Sequence, residues 1–187
     1  MKHMRRSMKT ASLVSITLFL ACFAGFAPLL SGFINPMAPT QGMACTSNLK
    51  QIVMGLRLYA ESNNGKFPEG DTETIVKTMK DSGILRSTQI WRCPGRPKSE
   101  KVPPSSYTVI SGLNTSMSAG MPIVLDKPGN HSGSINAGFV DGSTKTFKTD
   151  SKNYTGLLPL FTGISASEKA LLKAAFEKLD GKKTGKE

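Results

Sequence analysis

The sequence predicts an α+β chain with a membrane-directed front end, and three observations carry that prediction. A basic leader runs into an uncharged apolar stretch. A segment of helical apolar periodicity follows a Pro/Gly-rich linker. An Asp-Gly pair later separates two strand-like runs. At 187 residues the chain has the length of one domain. Charged residues make up 20%, an ordinary share that indicates neither a disordered chain nor a polytopic membrane protein.

Met1 to Lys9 is a positive n-region, and Ala11 to Leu30 carries no charge. A helix of about twenty residues rises roughly 30 Å, the hydrocarbon thickness of a bilayer. Basic residues stay on the cytoplasmic side, so residues 1–34 place the N-terminus inside and the rest of the chain outside. Three fates compete for this segment: an uncleaved anchor, a cleaved signal peptide and lipidation at Cys22. Cys22 and Ala24 make a poor −3/−1 pair, and Pro28 disfavours cleavage after Ala27. Phe19-Leu20-Ala21-Cys22 loosely resembles a lipobox, but the apolar run continues past the cysteine. The anchor is the favoured fate.

Residues 35–44, with Pro36, Pro39 and Gly42, read as a linker that breaks the membrane helix. Asn48 with Gln51 forms a capping-box pattern, and Ser47 is an alternative cap. Leu49, Ile52, Val53, Leu56, Tyr59 and Ala60 then mark one face of a helix, with Lys50, Arg57 and Glu61 opposite and Asn63-Asn64-Gly65 as the stop. A shorter helix is expected after Asp71-Thr72, carrying Ile75, Val76 and Met79 and ending at Gly83. Trp91-Arg92-Cys93-Pro94 opens a Pro/Lys-rich loop reaching Pro104. Tyr107 to Ile110 and Pro122 to Leu125 are candidate strands. Asp141-Gly142, between Ile135–Phe139 and Thr144–Phe147, predicts a type I′ hairpin with positive φ at both residues. Ser165 to Glu168 is a second capping box. It opens a C-terminal amphipathic helix bearing Leu171, Leu172, Ala175, Phe176 and Leu179, with Gly181 as its stop, and residues 151–187 thus hold this helix and a basic tail.

Together these motifs carry a resemblance. Cys45-Thr46-Ser47-Asn48-Leu49-Lys50-Gln51-Ile52, Tyr59 and Asn63-Asn64-Gly65-Lys66-Phe67-Pro68 resemble the helix that opens the head of bacterial pseudopilin-like proteins, the prepilin-type, type II secretion G-like group. Trp91-Arg92-Cys93-Pro94 and Ser106-Tyr107 match its middle. His131-Ser132-Gly133, Asn136, Phe139 and Asp141-Gly142-Ser143 match its closing hairpin. The resemblance implies a head, residues 45–150, in which an amphipathic helix packs on a small antiparallel sheet. It implies a single-pass protein of a bacterial inner membrane, its C-terminal head in the periplasm or outside the cell, with pilin-like or secretion-system subunits as partners. Members of the group begin with a glycine cleavage site followed by Phe-Thr-Leu-Ile-Glu. Here no such glycine occurs and Ala11 to Leu30 lacks a glutamate, so the resemblance extends to the head and not to filament assembly.

In an oxidising compartment Cys45 and Cys93 are expected to pair, the alternative being two buried thiols. Closing a loop of roughly 50 residues contributes about 4 kcal/mol on the chain-entropy model. Asp126, His131 and Asp141 form the weak candidate cluster for a metal or an acid–base pair. The two aspartates would suit calcium, which the G-type group binds in its head, yet the run of closely spaced acids such a loop needs is missing. Asp141 is explained as a turn residue, and His131 as a loop residue hydrogen-bonded to the hairpin. No phosphate loop, zinc-type cysteine/histidine spacing or nucleophile elbow appears, so neither an enzyme, a resident cofactor nor a small-molecule substrate is expected. The net charge is +11, of which the leader's Lys2, Arg5, Arg6 and Lys9 supply four. The remainder, thickest at Lys182, Lys183 and Lys186, reads as a solvated basic surface. Its alternative is a binding module for a polyanion such as DNA or acidic polysaccharide.

Overall fold

The structure, a computed structural model, describes residues 41–94 and 105–184. The segment expected to enter the membrane, Ala11 to Leu30 with Cys22, and most of the Pro/Lys-rich loop lie outside the described residues. Among the described residues no helix is long and apolar enough to cross a membrane. Among the described residues the chain is α+β, with a four-stranded antiparallel sheet in the order β1-β2-β3-β4 and three α-helices.

Helix α1 spans Gln41–Glu61. Its apolar stripe is as predicted: Leu49, Ile52, Val53, Leu56 and Ala60 are all fully buried. Its start is not. The helix is already formed through Gln41 to Ala44, four residues of the expected linker, so Asn48 and Ser47 are interior positions and cap nothing. Asn48 instead donates Nδ2 to Arg92 O at 3.0 Å, and Gln51 donates back to Ser47 O. The buried Cys45, one turn before Leu49, extends the apolar stripe and favours helix there over the weaker local capping preference. The helix stops where expected: Asn64 and Gly65 take positive φ, and Gly65 N–H donates to Ala60 O. Arg57 leaves its expected solvent face, since its Nη1 donates to Val140 O at 2.6 Å across the closing hairpin.

Helix α2, Thr72–Asp81, is capped by Asp71, whose Oδ1 accepts from Thr74 N–H at 2.9 Å. It ends at Gly83 with φ +75°, and Leu85 folds back to fill the notch over Gly55 of α1. A 3-10 turn, η1 (Gln89–Trp91), buries Trp91. The strands are β1 (Tyr107–Val109), β2 (Pro122–Asp126), β3 (Ser134–Phe139) and β4 (Thr144–Lys148), each pairing with the next. A second 3-10 turn, η2 (Thr155–Leu160), and helix α3 (Ala166–Thr184) follow β4.

The hairpin between β3 and β4 corrects one expectation. Gly142 has φ +91°, but Asp141 is not in the left-handed region, so the turn is not type I′. Gly142 N–H donates to Phe139 O and Phe139 N–H to Ser143 O, which leaves a three-residue loop with the glycine in the bulge position. Asp141 Oδ1 accepts from Ser143 N–H at 2.8 Å, an Asx turn that favours negative φ at Asp141. The second capping box forms as predicted: Ser165 Oγ accepts from Glu168 N–H, and Glu168 Oε2 accepts from Ser165 N–H at 2.7 Å. Gly181 does not stop α3, which continues to Thr184. Asp180 accepts from the N–H groups of Tyr154 and Thr155 at 2.8 and 2.9 Å, and this anchor offsets the roughly 1 kcal/mol cost of a helical glycine.

Both faces of the sheet are covered. Alternation along β3 sends Asn136 and Gly138 to α1 and Ile135, Ala137 and Phe139 to the other face. There Phe139, Phe147 and Phe161 meet edge to face at 5.6 to 6.3 Å, and Phe161 leads on to Phe176 of α3.

Candidate functional site

Polar and sulfur groups gather where the first turns of α1 cross the sheet. Cys45 and Cys93 form the expected disulfide, with Cα atoms 5.1 Å apart. It ties α1 to the segment just after η1, and both cysteines are buried. The hydroxyl of Tyr107 donates to Cys45 O at 3.1 Å. Burial, helped by the charge of Asp126, pushes the Tyr107 phenol well above its usual value, so it serves as a fixed donor.

Asp126 ends β2 with 1% of its side chain exposed. Its Oδ2 accepts from Asn136 N–H at 2.9 Å and from Asn136 Nδ2 at 2.7 Å. His131 Nε2 lies 3.3 Å from the same oxygen, and this hydrogen bond raises the imidazole above its ordinary pKa against the opposing effect of burial. Asp126 Oδ1 is buried without a hydrogen-bond partner. Asn136 completes the network through Oδ1, which accepts from Thr146 Oγ1 at 2.6 Å and Thr46 Oγ1 at 3.4 Å. An open groove borders the cluster, lined by Thr46, Ser47, Lys50, His131, Asn136 and Thr146.

The structure therefore joins His131 with Asp126, as the sequence grouping has it, but separates Asp141 from both. Asp126 bonds Asn136 in the first half of β3, whereas Asp141 sits in the turn beyond the far end of that strand. The pair of aspartates considered for calcium is not assembled. His131 does not bond to the hairpin turn; it reaches Asp126 and, at 3.4 Å, the Sγ of Cys93. One ring nitrogen makes both contacts. A nucleophile–base–acid relay uses a different ring nitrogen for each partner, so Cys93, His131 and Asp126 do not form one. Asn136 and Tyr107 are the site residues to which sequence reasoning assigned no role. An asparagine inside a strand, between Ile135 and Ala137, is the signal that a buried polar partner awaits it.

No protein-family model matches the chain, and no curated protein or solved structure matches it either.

Proposed function

We propose that this chain is a non-enzymatic, membrane-anchored envelope protein with a pseudopilin-like head, structural or associated with secretion or pilus machinery. The observation that carries the reading is the order of parts. A basic and apolar leader comes first, then a helix laid on a small antiparallel sheet, with a disulfide stapling that helix to the middle of the head. The outward side of α1 also fits a protein that meets neighbours. Met43, Met54 and Leu58 stand 62%, 56% and 52% exposed along one stripe, more apolar surface than a solvated helix needs.

Fractionation tests the anchor. The full chain should sediment with membranes and resist extraction by salt and alkali. A wholly soluble native protein shortened by about thirty residues would overturn it. A photo-crosslinker in place of Met54 tests the association, the expected adduct being a pilin-like or secretion-system subunit from the membrane fraction. A probe that reacts with lipid and water alone argues against any subunit contact along this stripe.

A further inference from the structure

We infer that Cys45, Cys93, His131 and Asp126 make a redox-gated site for a thiolate-seeking divalent metal of the zinc class, with the disulfide and the metal as alternative closures of the same point. The two sulfurs and a ring nitrogen of His131 already lie within 4.8 Å of one another. Zinc bonds of about 2.3 Å to sulfur and about 2.0–2.1 Å to nitrogen or oxygen set the edges of a tetrahedral site: roughly 3.5 Å between sulfur and nitrogen, and roughly 3.3 Å between nitrogen and oxygen. The observed separations are 3.4 Å from Cys93 Sγ to His131 Nε2 and 3.3 Å from His131 Nε2 to Asp126 Oδ2. Cys93 and His131 thus stand at ligand spacing; the Asp126 carboxylate adjoins His131 through Oδ2 but lies outside the group formed with the sulfurs, and it closes on an ion by turning Oδ1 to it. After reduction the sulfurs need only part from bonding distance to roughly 3.8 Å, which side-chain rotation supplies.

A second observation points the same way. Asp126 Oδ1 is fully buried and receives no hydrogen bond, which costs free energy and leaves one carboxylate oxygen open to a ligand. Asn136 already holds Oδ2 with two donors, as supporting residues hold a metal-binding carboxylate. The groove past Lys50 and Thr146 reaches His131 from solvent and gives an ion a way in. Soft thiolates with imidazole select zinc-class metals over calcium or magnesium.

The chemistry balances in two steps. A dithiol reductant gives two electrons and two protons to the Cys45–Cys93 bond, which becomes two thiols as the reductant becomes a disulfide. The metal then displaces the two thiol protons and binds two thiolates, a neutral imidazole and a carboxylate.

Cobalt(II) titrated alone into the full chain, before and after reduction, is the test. The reduced chain should bind one equivalent and develop the thiolate-to-cobalt charge-transfer and tetrahedral ligand-field bands. Zinc should displace the cobalt and shield both thiols from alkylation. The oxidised chain should show none of these. His131→Ala should weaken binding by about a hundredfold and Asp126→Asn by about tenfold or more. Because Asp126→Asn perturbs a buried network, the conservative His131→Cys provides a second arm and should keep tight binding with a more thiolate-rich spectrum. Equal binding by oxidised and reduced chain, bands unchanged in His131→Ala, or no binding by a reduced chain that keeps the circular dichroism of the fold would each overturn the inference. Should reduction unfold the head, zinc is expected to restore its circular dichroism, and failure to do so counts against the site equally.

Discussion

Gly138→Ala should destabilise the head by about 3 kcal/mol, and Val53→Ala should recover about 1 kcal/mol of that loss instead of adding its own. A Cβ built on Gly138 falls inside the van der Waals envelope of Val53 Cγ2 on α1, and 3.1 Å from Val124 Cγ1 on the neighbouring strand. Its φ is not positive, so the penalty is packing and not backbone strain. Overpacking of this kind costs about 1–3 kcal/mol. The upper end applies because valine is stiff at χ1 in a helix and both neighbours are fully buried. Val53→Ala alone removes two buried methyl groups, at about 0.8 kcal/mol each plus a cavity term, or roughly 2 kcal/mol in all. In the double variant the new methyl occupies the vacated space, with Val53 Cβ at an ordinary 3.6 Å. Additivity would give a loss of about 5 kcal/mol. The expected loss is about 2 kcal/mol, so the coupling is about 3 kcal/mol. Urea unfolding followed by Trp91 fluorescence reads it, since this buried residue is the single tryptophan of the chain. Additive losses, or a Gly138→Ala variant within about 0.5 kcal/mol of wild type, would refute close contact between α1 and the sheet at this point.

Three further outcomes are expected. Cys45→Ala with Cys93→Ala should lower stability by about 4 kcal/mol, seen as a lower urea midpoint in non-reducing buffer, with little change in the midpoint under reducing conditions. Hydrogen bonds from Ser118 and Ser165 pull the Glu168 carboxyl from 4.5 down to about 2, so its contribution is present above the ordinary carboxylate value and is lost as pH falls towards 2. Thermal midpoints of wild type and Glu168→Gln should therefore differ at neutral pH and converge between pH 4.5 and 2; a gap that persists at the acid end would contradict that linkage. Neutralising Lys182, Lys183 and Lys186 together should leave retention on DNA or acidic polysaccharide unchanged, whereas salt-sensitive binding lost in that variant would favour the polyanion reading.

Local rules made much of this head legible. The stripe on α1, the Asp71 cap, the Gly83 stop, the Ser165–Glu168 box and all four strands follow from neighbours a few residues apart. The turn at Asp141 was misread for a local reason, its own Asx bond to Ser143, but three other misreadings share a cause: a local signal lost to a distant contact. Asn48 and Gln51 spell a cap, but Cys45 is drawn into the core and the helix begins earlier. Gly181 spells a stop, but Asp180 is pinned to η2 and α3 runs on. Arg57 belongs to a polar face by periodicity, yet a carbonyl 83 residues away claims it. The site shows the same limit. The cysteine pair was readable from compartment and number, and His131 from its rarity. Asp126 was grouped with it, but so was Asp141, because sequence spacing cannot show that β2 and β3 place Asp126 beside His131 and carry Asp141 away.

The two coverings of the sheet explain why the cluster stands where it does. On one face large aromatic side chains hold η2 and α3 against β3 and β4. On the other, Gly138 supplies no side chain at all, and α1 descends until Val53 fills the space. A helix that low brings its first turns within reach of the strands. Thr46 then meets Asn136, Tyr107 meets the carbonyl of Cys45, and Cys45 stands over Cys93. A larger residue at position 138 forces a shift at Val53 and so works against each of these contacts. The disulfide–histidine cluster is thus a product of how closely α1 packs. A substitution that lifts the helix at Gly138 should loosen Cys45, His131 and Asp126 from one another even though it touches none of them.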